Sequence, residues 1–266
     1  MNRRDLSRLL GTATALAATS NSTVSRVSSR SATATPAASG DIGMLIFPGM
    51  TILDLIGPQQ FFAVAPGRTT HLVWKSREAV VSDSGVPILP TATFEETPEQ
   101  LEILFVPGGF AGTGPVLEDP DVLNFVANRG AHATYVTSVC TGALILGAAG
   151  LLQGYRATTH WAYHDLLPLV GAEPVAARIV EDRNRITGGG VTSGIDFGLT
   201  LLARLTSDDY ARGWQLGTEY DPDPPFDSGA PASADQFIMG EVLKVLGPRV
   251  EHVRGALAGT PGYTGD

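Results

Sequence analysis

From Asp41 onward, short apolar runs alternate with longer amphipathic stretches, and this alternation constrains the fold more than any other feature of the sequence. A chain that repeats strand, turn and helix in this way builds a mostly parallel sheet covered by helices, that is, an α/β architecture. The patterning predicts strands over Gly43–Phe47, Thr70–Lys75, Ile103–Val106, Thr134–Val139 and Arg156–Thr159, with Val80–Leu89 as a hairpin around Ser84-Gly85. Helices are predicted over Ile52–Val64, Pro120–Arg129, Thr141–Ala149, Trp161–Leu167 and Ser193–Leu205, and a further one over Ala234–Leu246. Pro58 falls inside the first helical pattern and is expected to bend or restart it. The glycine-rich end is expected to fray.

The segment ahead of Asp41 differs in character. Arg3 and Arg4 precede an apolar stretch from Leu9 to Ala18, and a Ser/Thr/Ala-rich run follows to Gly40. This order resembles a twin-arginine export signal, with small-residue cleavage candidates such as Ala15-Leu16-Ala17, so export to the periplasm or beyond is expected. A disordered tail on a cytoplasmic protein is the alternative. The apolar run is too short for a permanent membrane span. The expected organisation is therefore a signal-like segment and linker over 1–40, a catalytic domain over 41–231, and a C-terminal helix and tail over 232–266.

Composition bears on partners. A formal net charge of −9 with scattered basic residues lacks the footprint of a nucleic-acid binder. The single cysteine cannot form an internal disulfide, and no Cys/His spacing matches a structural zinc site.

That cysteine carries the strongest chemical signal. In Tyr135-Val136-Thr137-Ser138-Val139-Cys140-Thr141-Gly142-Ala143-Leu144 a β-branched strand runs into Cys140 and small residues then open a helix. The sulfur is thereby expected at the positive end of a helix, where the thiolate is favoured and nucleophilic. A small buried apolar cysteine is the alternative. Gly108 and Gly109, followed by Phe110, end another strand; their amides are expected either to stabilise developing negative charge or to form an ordinary tight turn. Both turns belong at the carboxyl ends of strands, where open α/β sheets bind ligands. Asp54, among Ile52, Leu53, Leu55 and Ile56, reads as a buried carboxyl with a raised pKa, or as an exposed acid at a helix start. His160 and His164 have helical spacing, but Trp161 stands where zinc hydrolases have Glu and no third ligand is evident, which favours a pocket role for His160 over a metal.

Together these segments resemble the DJ-1/PfpI superfamily, over roughly Ile42 to Pro231. Within it they are most similar to the isocyanide hydratase branch, through Leu53-Asp54-Leu55 with Gly57-Pro58, Val106-Pro107-Gly108-Gly109, Ser138-Val139-Cys140-Thr141-Gly142, Thr158-Thr159-His160-Trp161-Ala162-Tyr163-His164, Thr187-Gly188-Gly189-Gly190 and Pro224-Pro225-Phe226. The resemblance implies a flavodoxin-like doubly wound sheet and hydration of a small isocyanide to a formamide without metal or organic cofactor. It assigns Cys140 as nucleophile, Asp54 as the acid/base group and Thr141 as a residue that helps hold that carboxyl. Gly108, Gly109, Phe110, His160 and Trp161 would surround the substrate. It also implies a homodimer, with the first helix near the interface. Two rival readings stay open: a glyoxalase-like or stress-response enzyme acting on an aldehyde, and a ligand-sensing domain like those of related transcription regulators but without their DNA-binding region.

Overall fold

The computed structural model describes residues 40–265, so the export-signal reading of the preceding segment lies outside the described residues. Seven strands form the central sheet: β1 (Gly40–Leu45), β2 (Arg68–Trp74), β3 (Ala92–Thr93), β4 (Ile103–Val106), β5 (Tyr135–Val139), β6 (Ile179–Asp182) and β7 (Arg185–Gly188). Their spatial order is β6-β7-β5-β4-β1-β2-β3. All neighbours are parallel except the β6–β7 hairpin at one edge. Parallel strands covered on both faces need continuous apolar sequence. Accordingly all of Ile103-Leu104-Phe105-Val106 and all of β5 after Tyr135 are buried.

The helices are α1 (Ile52–Phe62), α2 (Thr113–Leu117), α3 (Pro120–His132), α4 (Gly142–Ala148), α5 (Ser193–Leu205), α6 (Asp208–Gly217) and α7 (Gln236–Leu257), with a 3₁₀ stretch over Trp161–Val170. Among the described residues, none of them is long and apolar enough to cross a membrane. The start of α3 is fixed by local chemistry: Asp119 accepts from the amides of Asp121 and Val122, and Pro120 occupies the first turn, where no amide donor is needed.

Several expectations need correction. Helix α1 neither stops nor restarts at Pro58. The proline instead packs on α5, where a side chain at Gly198 would come within 3.0 Å of its Cα and 2.8 Å of the Phe61 ring. Arg156–Thr159 contributes only Arg156–Ala157, paired with Glu173–Pro174 outside the main sheet. The helix expected to end at Leu246 continues to Leu257. The glycine-rich end is tied down, since the Gly262 amide donates to the Ala148 carbonyl at 2.8 Å and that of Thr264 to Leu169 at 2.7 Å. The edge hairpin β6–β7 was hidden from patterning because Arg183-Asn184 reads only as a polar break.

The chain winds to opposite sides from β1 and from β4, so the loops after these adjacent strands diverge. Such a switch point leaves a crevice at the carboxyl ends of the strands. Asp54 follows β1, Gly108 and Gly109 follow β4, and Cys140 follows the neighbouring β5.

Candidate active site

Strand β5 ends at Val139, and Cys140 adopts φ 56, in the left-handed region that residues with a side chain seldom occupy. The turn is over-determined by its hydrogen bonds. The Cys140 amide donates to the carbonyls of Gly188 (3.1 Å) and Gly189 (2.7 Å), and the Thr159 hydroxyl donates to the Cys140 carbonyl at 2.8 Å. Backbone strain of on the order of 1–3 kcal/mol persists only where its surroundings enforce it, as at nucleophile elbows. The return into α4 requires Gly142, where a side chain would lie 2.1 Å from the Val106 carbonyl oxygen.

Asp54, in the first turn of α1, is completely buried. Its Oδ2 accepts the Gly108 amide at 2.9 Å, while Oδ1 has no hydrogen-bond partner among the described residues. The carboxyl lies close enough to the Cys140 thiol for each group to shift the other's ionisation. Burial pushes the Asp54 pKa from 3.8 up to about 7, against the lowering effects of the Gly108 amide and the thiol; Asp83 adds a further small rise. The expectation of a buried, readily protonated carboxyl is met, and the exposed helix-start alternative is not.

The expected low thiol pKa is not found at Cys140. Burial first, and then the neighbouring Asp54 charge, push the thiol well above its ordinary range, while the Thr141 amide and hydroxyl only partly oppose this. Cys140 and Asp54 thus form a coupled buried pair that resists carrying two negative charges.

Two further assignments change. The Gly108 amide is committed to Asp54, and the Gly109 amide donates to Thr141 Oγ1 at 2.9 Å, so neither glycine offers a free donor for an oxyanion. Thr141 does not hold the Asp54 carboxyl. Its hydroxyl joins the Gly109 amide and Thr113 Oγ1 (2.7 Å) and faces the sulfur instead. Thr113 escaped sequence reasoning because only the fold of the 109–113 loop brings it across to Thr141. Gly108 is needed because a side chain there would lie 2.5 Å from the Thr141 nitrogen and 2.9 Å from Asp54 Oδ2. Gly108→Ala is therefore expected to cost about 1–3 kcal/mol by overpacking and to lower turnover roughly 100-fold by misplacing the carboxyl. Thermal unfolding and initial rates check this.

His160 lies at the start of the 3₁₀ stretch, its Nδ1 accepting the Ala162 amide at 3.3 Å. Its ring meets that of Phe110 edge-on at 5.0 Å. Burial pushes its pKa from 6.5 down to about 4, so the imidazole is neutral near pH 7. Among the described residues no group of three His, Cys, Asp or Glu side chains converges as a metal site. Phe110 and His160 line a cavity of about 420 Å³, whereas Trp161 borders a smaller one of about 100 Å³ under the start of α7. Sequence reasoning also gave no role to Tyr163, a fully buried residue whose hydroxyl has no partner among the described residues and whose ring stacks near Phe110.

A flavodoxin-like sheet with a buried cysteine at a strained strand-to-helix elbow, faced by a carboxyl from the first helix, defines a recognisable class. The chain belongs to the DJ-1/PfpI family, whose model matches residues 41–204. It is 53% identical to the isonitrile hydratase of Pseudomonas putida over 210 residues, covering 79% of this chain and 91% of that protein. A crystal structure of a THiJ/PfpI family protein from Pseudomonas syringae superposes with a TM-score of 0.82 at 44% identity, covering 88% of this chain and 97% of that one. The HTH-type transcriptional regulator CdhR of Pseudomonas aeruginosa is 26% identical over 227 residues, 81% of this chain but 59% of the regulator.

Proposed function

We propose that the protein hydrates an isocyanide (isonitrile) to an N-substituted formamide through a covalent intermediate on Cys140. The observation that carries this reading is the buried Cys140–Asp54 pair, with Asp54 poised near pH 7, in a chain 53% identical to an isonitrile hydratase. An isocyanide carbon accepts a nucleophile and then a proton at the same atom. A thiol and a carboxylate that share one proton supply both.

In the first half-reaction the thiol proton passes to Asp54 as the sulfur bonds to the isocyanide carbon. The carboxyl then delivers that proton to the same carbon, giving the thioimidate R–N=CH–S–Cys140. In the second half-reaction Asp54 takes a proton from the water that attacks this carbon and passes it to nitrogen. Collapse of R–NH–CH(OH)–S–Cys140 breaks the carbon–sulfur bond, releases R–NH–CHO, and returns the hydroxyl proton by way of Asp54 to the thiol. The atoms balance as isocyanide plus water. The committed amides of Gly108 and Gly109 suit this chemistry, because negative charge that develops on carbon is quenched by a proton and does not require an oxyanion hole.

The test is formamide production from several isocyanides, beside methylglyoxal as a control. Turnover of methylglyoxal alone would replace this reading with the glyoxalase-like one. Specific, saturable binding without turnover of either would favour the ligand-sensing one.

The assembly we propose is a homodimer through α1. Leu53 and Ile56 are 39% and 43% exposed on a helix whose other apolar side chains are largely buried, and paired copies would cover them. Leu53→Asp combined with Ile56→Asp is expected to shift sedimentation from dimer to monomer. A wild-type chain that sediments as a monomer would rule the dimer out.

A further inference from the structure

We propose that the cavity between the Phe110–His160 edge and the first half of α7 receives the hydrocarbon substituent on the isocyanide nitrogen, and that Val242, Val245 and Leu246 decide which isocyanides are accepted. This rests on the hydratase reading and adds to it a substrate class and the element that selects it.

The reasoning starts from the shape of the substrate. The unit C≡N–R is linear, so with its carbon at the Cys140 sulfur the substituent points straight away from that atom. Cys140 has no exposed surface, so the substituent must extend from the buried sulfur toward the nearest hollow that opens to solvent. Phe110 and His160 are fixed relative to the sulfur by their chain neighbours. Phe110 follows Gly109, whose amide holds Thr141; His160 follows Thr159, whose hydroxyl holds the Cys140 carbonyl. A side chain at Gly190, next to the Gly189 carbonyl that accepts the Cys140 amide, would come within 3.2 Å of the His160 ring.

These two rings form one wall of the cavity, and Glu241, Val242, Val245 and Leu246 of α7 form the other. Its volume of about 420 Å³ lies within the roughly 300–1,000 Å³ usual for small-molecule sites. A larger hollow of about 630 Å³ beside Phe94 and Arg129 includes neither Phe110 nor His160.

The chemistry of the walls selects the ligand. Three aliphatic side chains, a phenyl ring and a neutral imidazole match a hydrocarbon, and the one charged residue, Glu241, is ion-paired with Lys244 at 2.5 Å. A carboxylate-bearing substituent would meet this acid without a free cation on the wall. Helix α7 is held in place at its far end, where Val253 and Leu257 are buried and His252 packs on Gly114. It also lies beyond residue 204, where the family match ends. The elbow thus belongs to the family core, and the wall that reads the substituent lies outside it.

The experiment compares kcat/KM for cyclohexyl and methyl isocyanide in the wild type, Val245→Trp and Val242→Phe. Val245 is 58% exposed and Val242 37%, so both larger side chains can be added without repacking the core. The cyclohexyl-to-methyl ratio is expected to fall at least about 10-fold in each variant, the size of effect that apolar pockets exert, chiefly through KM. A ratio that stays put or rises in both variants overturns the proposal while leaving hydration intact. A wild type inactive on both isocyanides overturns the hydratase reading and this inference with it.

Discussion

Asp54→Asn is expected to abolish formamide production, by about 100-fold or more, while leaving the protein folded and Cys140 open to alkylation. Asparagine keeps the shape and can still accept the Gly108 amide, but it cannot carry the proton from sulfur to carbon. Because the Asp54 charge raises the thiol pKa, its removal should leave alkylation by iodoacetamide undiminished or faster at a given pH. That outcome would support the proposed activation of Cys140 by transfer of its proton to Asp54 over a permanently lowered pKa. Collapse of alkylation together with turnover would instead mean that Asp54 maintains the elbow.

The same variant has a pH signature. The active pair holds one proton, so wild-type kcat/KM should rise as pH increases through about 7, where Asp54 ionises, and fall when the second proton leaves. The rising limb should vanish in Asp54→Asn. Stability moves the opposite way. Since the folded-state pKa lies above the unfolded value, the folded protein holds this proton more tightly, and stability falls as pH rises from 3.8 to about 7. That rise corresponds to roughly 4 kcal/mol at most, so Asp54→Asn should unfold at a higher temperature than wild type at pH 8. A lower Tm there would show that the amide satisfies the site worse than the ionised carboxylate does.

Cys140→Ala is expected to lose at least about 100-fold in turnover with the fold retained, because the route through a covalent adduct disappears with the sulfur. Cys140→Ser should be nearly as inactive, since a hydroxyl is a far weaker nucleophile than the sulfur it replaces. Mass spectrometry of wild-type protein quenched during turnover should show an adduct equal to the isocyanide mass on Cys140, absent from both variants. Retention of more than a few per cent activity in Cys140→Ala would leave Asp54 acting directly on water and remove covalent catalysis from the mechanism.

The fold and the centre of the candidate site were legible in the sequence for different reasons. The buried strands β4 and β5 announce themselves as unbroken apolar runs, because a strand covered on both faces has no polar positions. Cys140 stands out because a strand that ends in a cysteine followed by small residues suggests a strand-to-helix turn, whereas Asp54, an acid amid apolar neighbours, reads equally as an exposed helix-start acid until the family resemblance singles it out. Trp161–Val170, by contrast, carries a helical apolar pattern yet forms a 3₁₀ stretch. Local periodicity does not separate two helix types whose choice is made by packing.

What the sequence alone determined is the α/β class and the turn at Cys140, since each follows from residue types within a few positions of one another; the identity of its acidic partner is what the family resemblance implies. Only the tertiary structure decided what those residues do to each other. The amides of Gly108 and Gly109 are taken up by Asp54 and Thr141, Thr113 reaches the site from the start of α2, and α7 arrives to wall the cavity. The thiol pKa was misjudged from sequence for the same physical reason. The start of a helix is legible locally, but the desolvation that raises the thiol pKa is the sum of every element packed around the sulfur, and no single stretch of chain contains that sum.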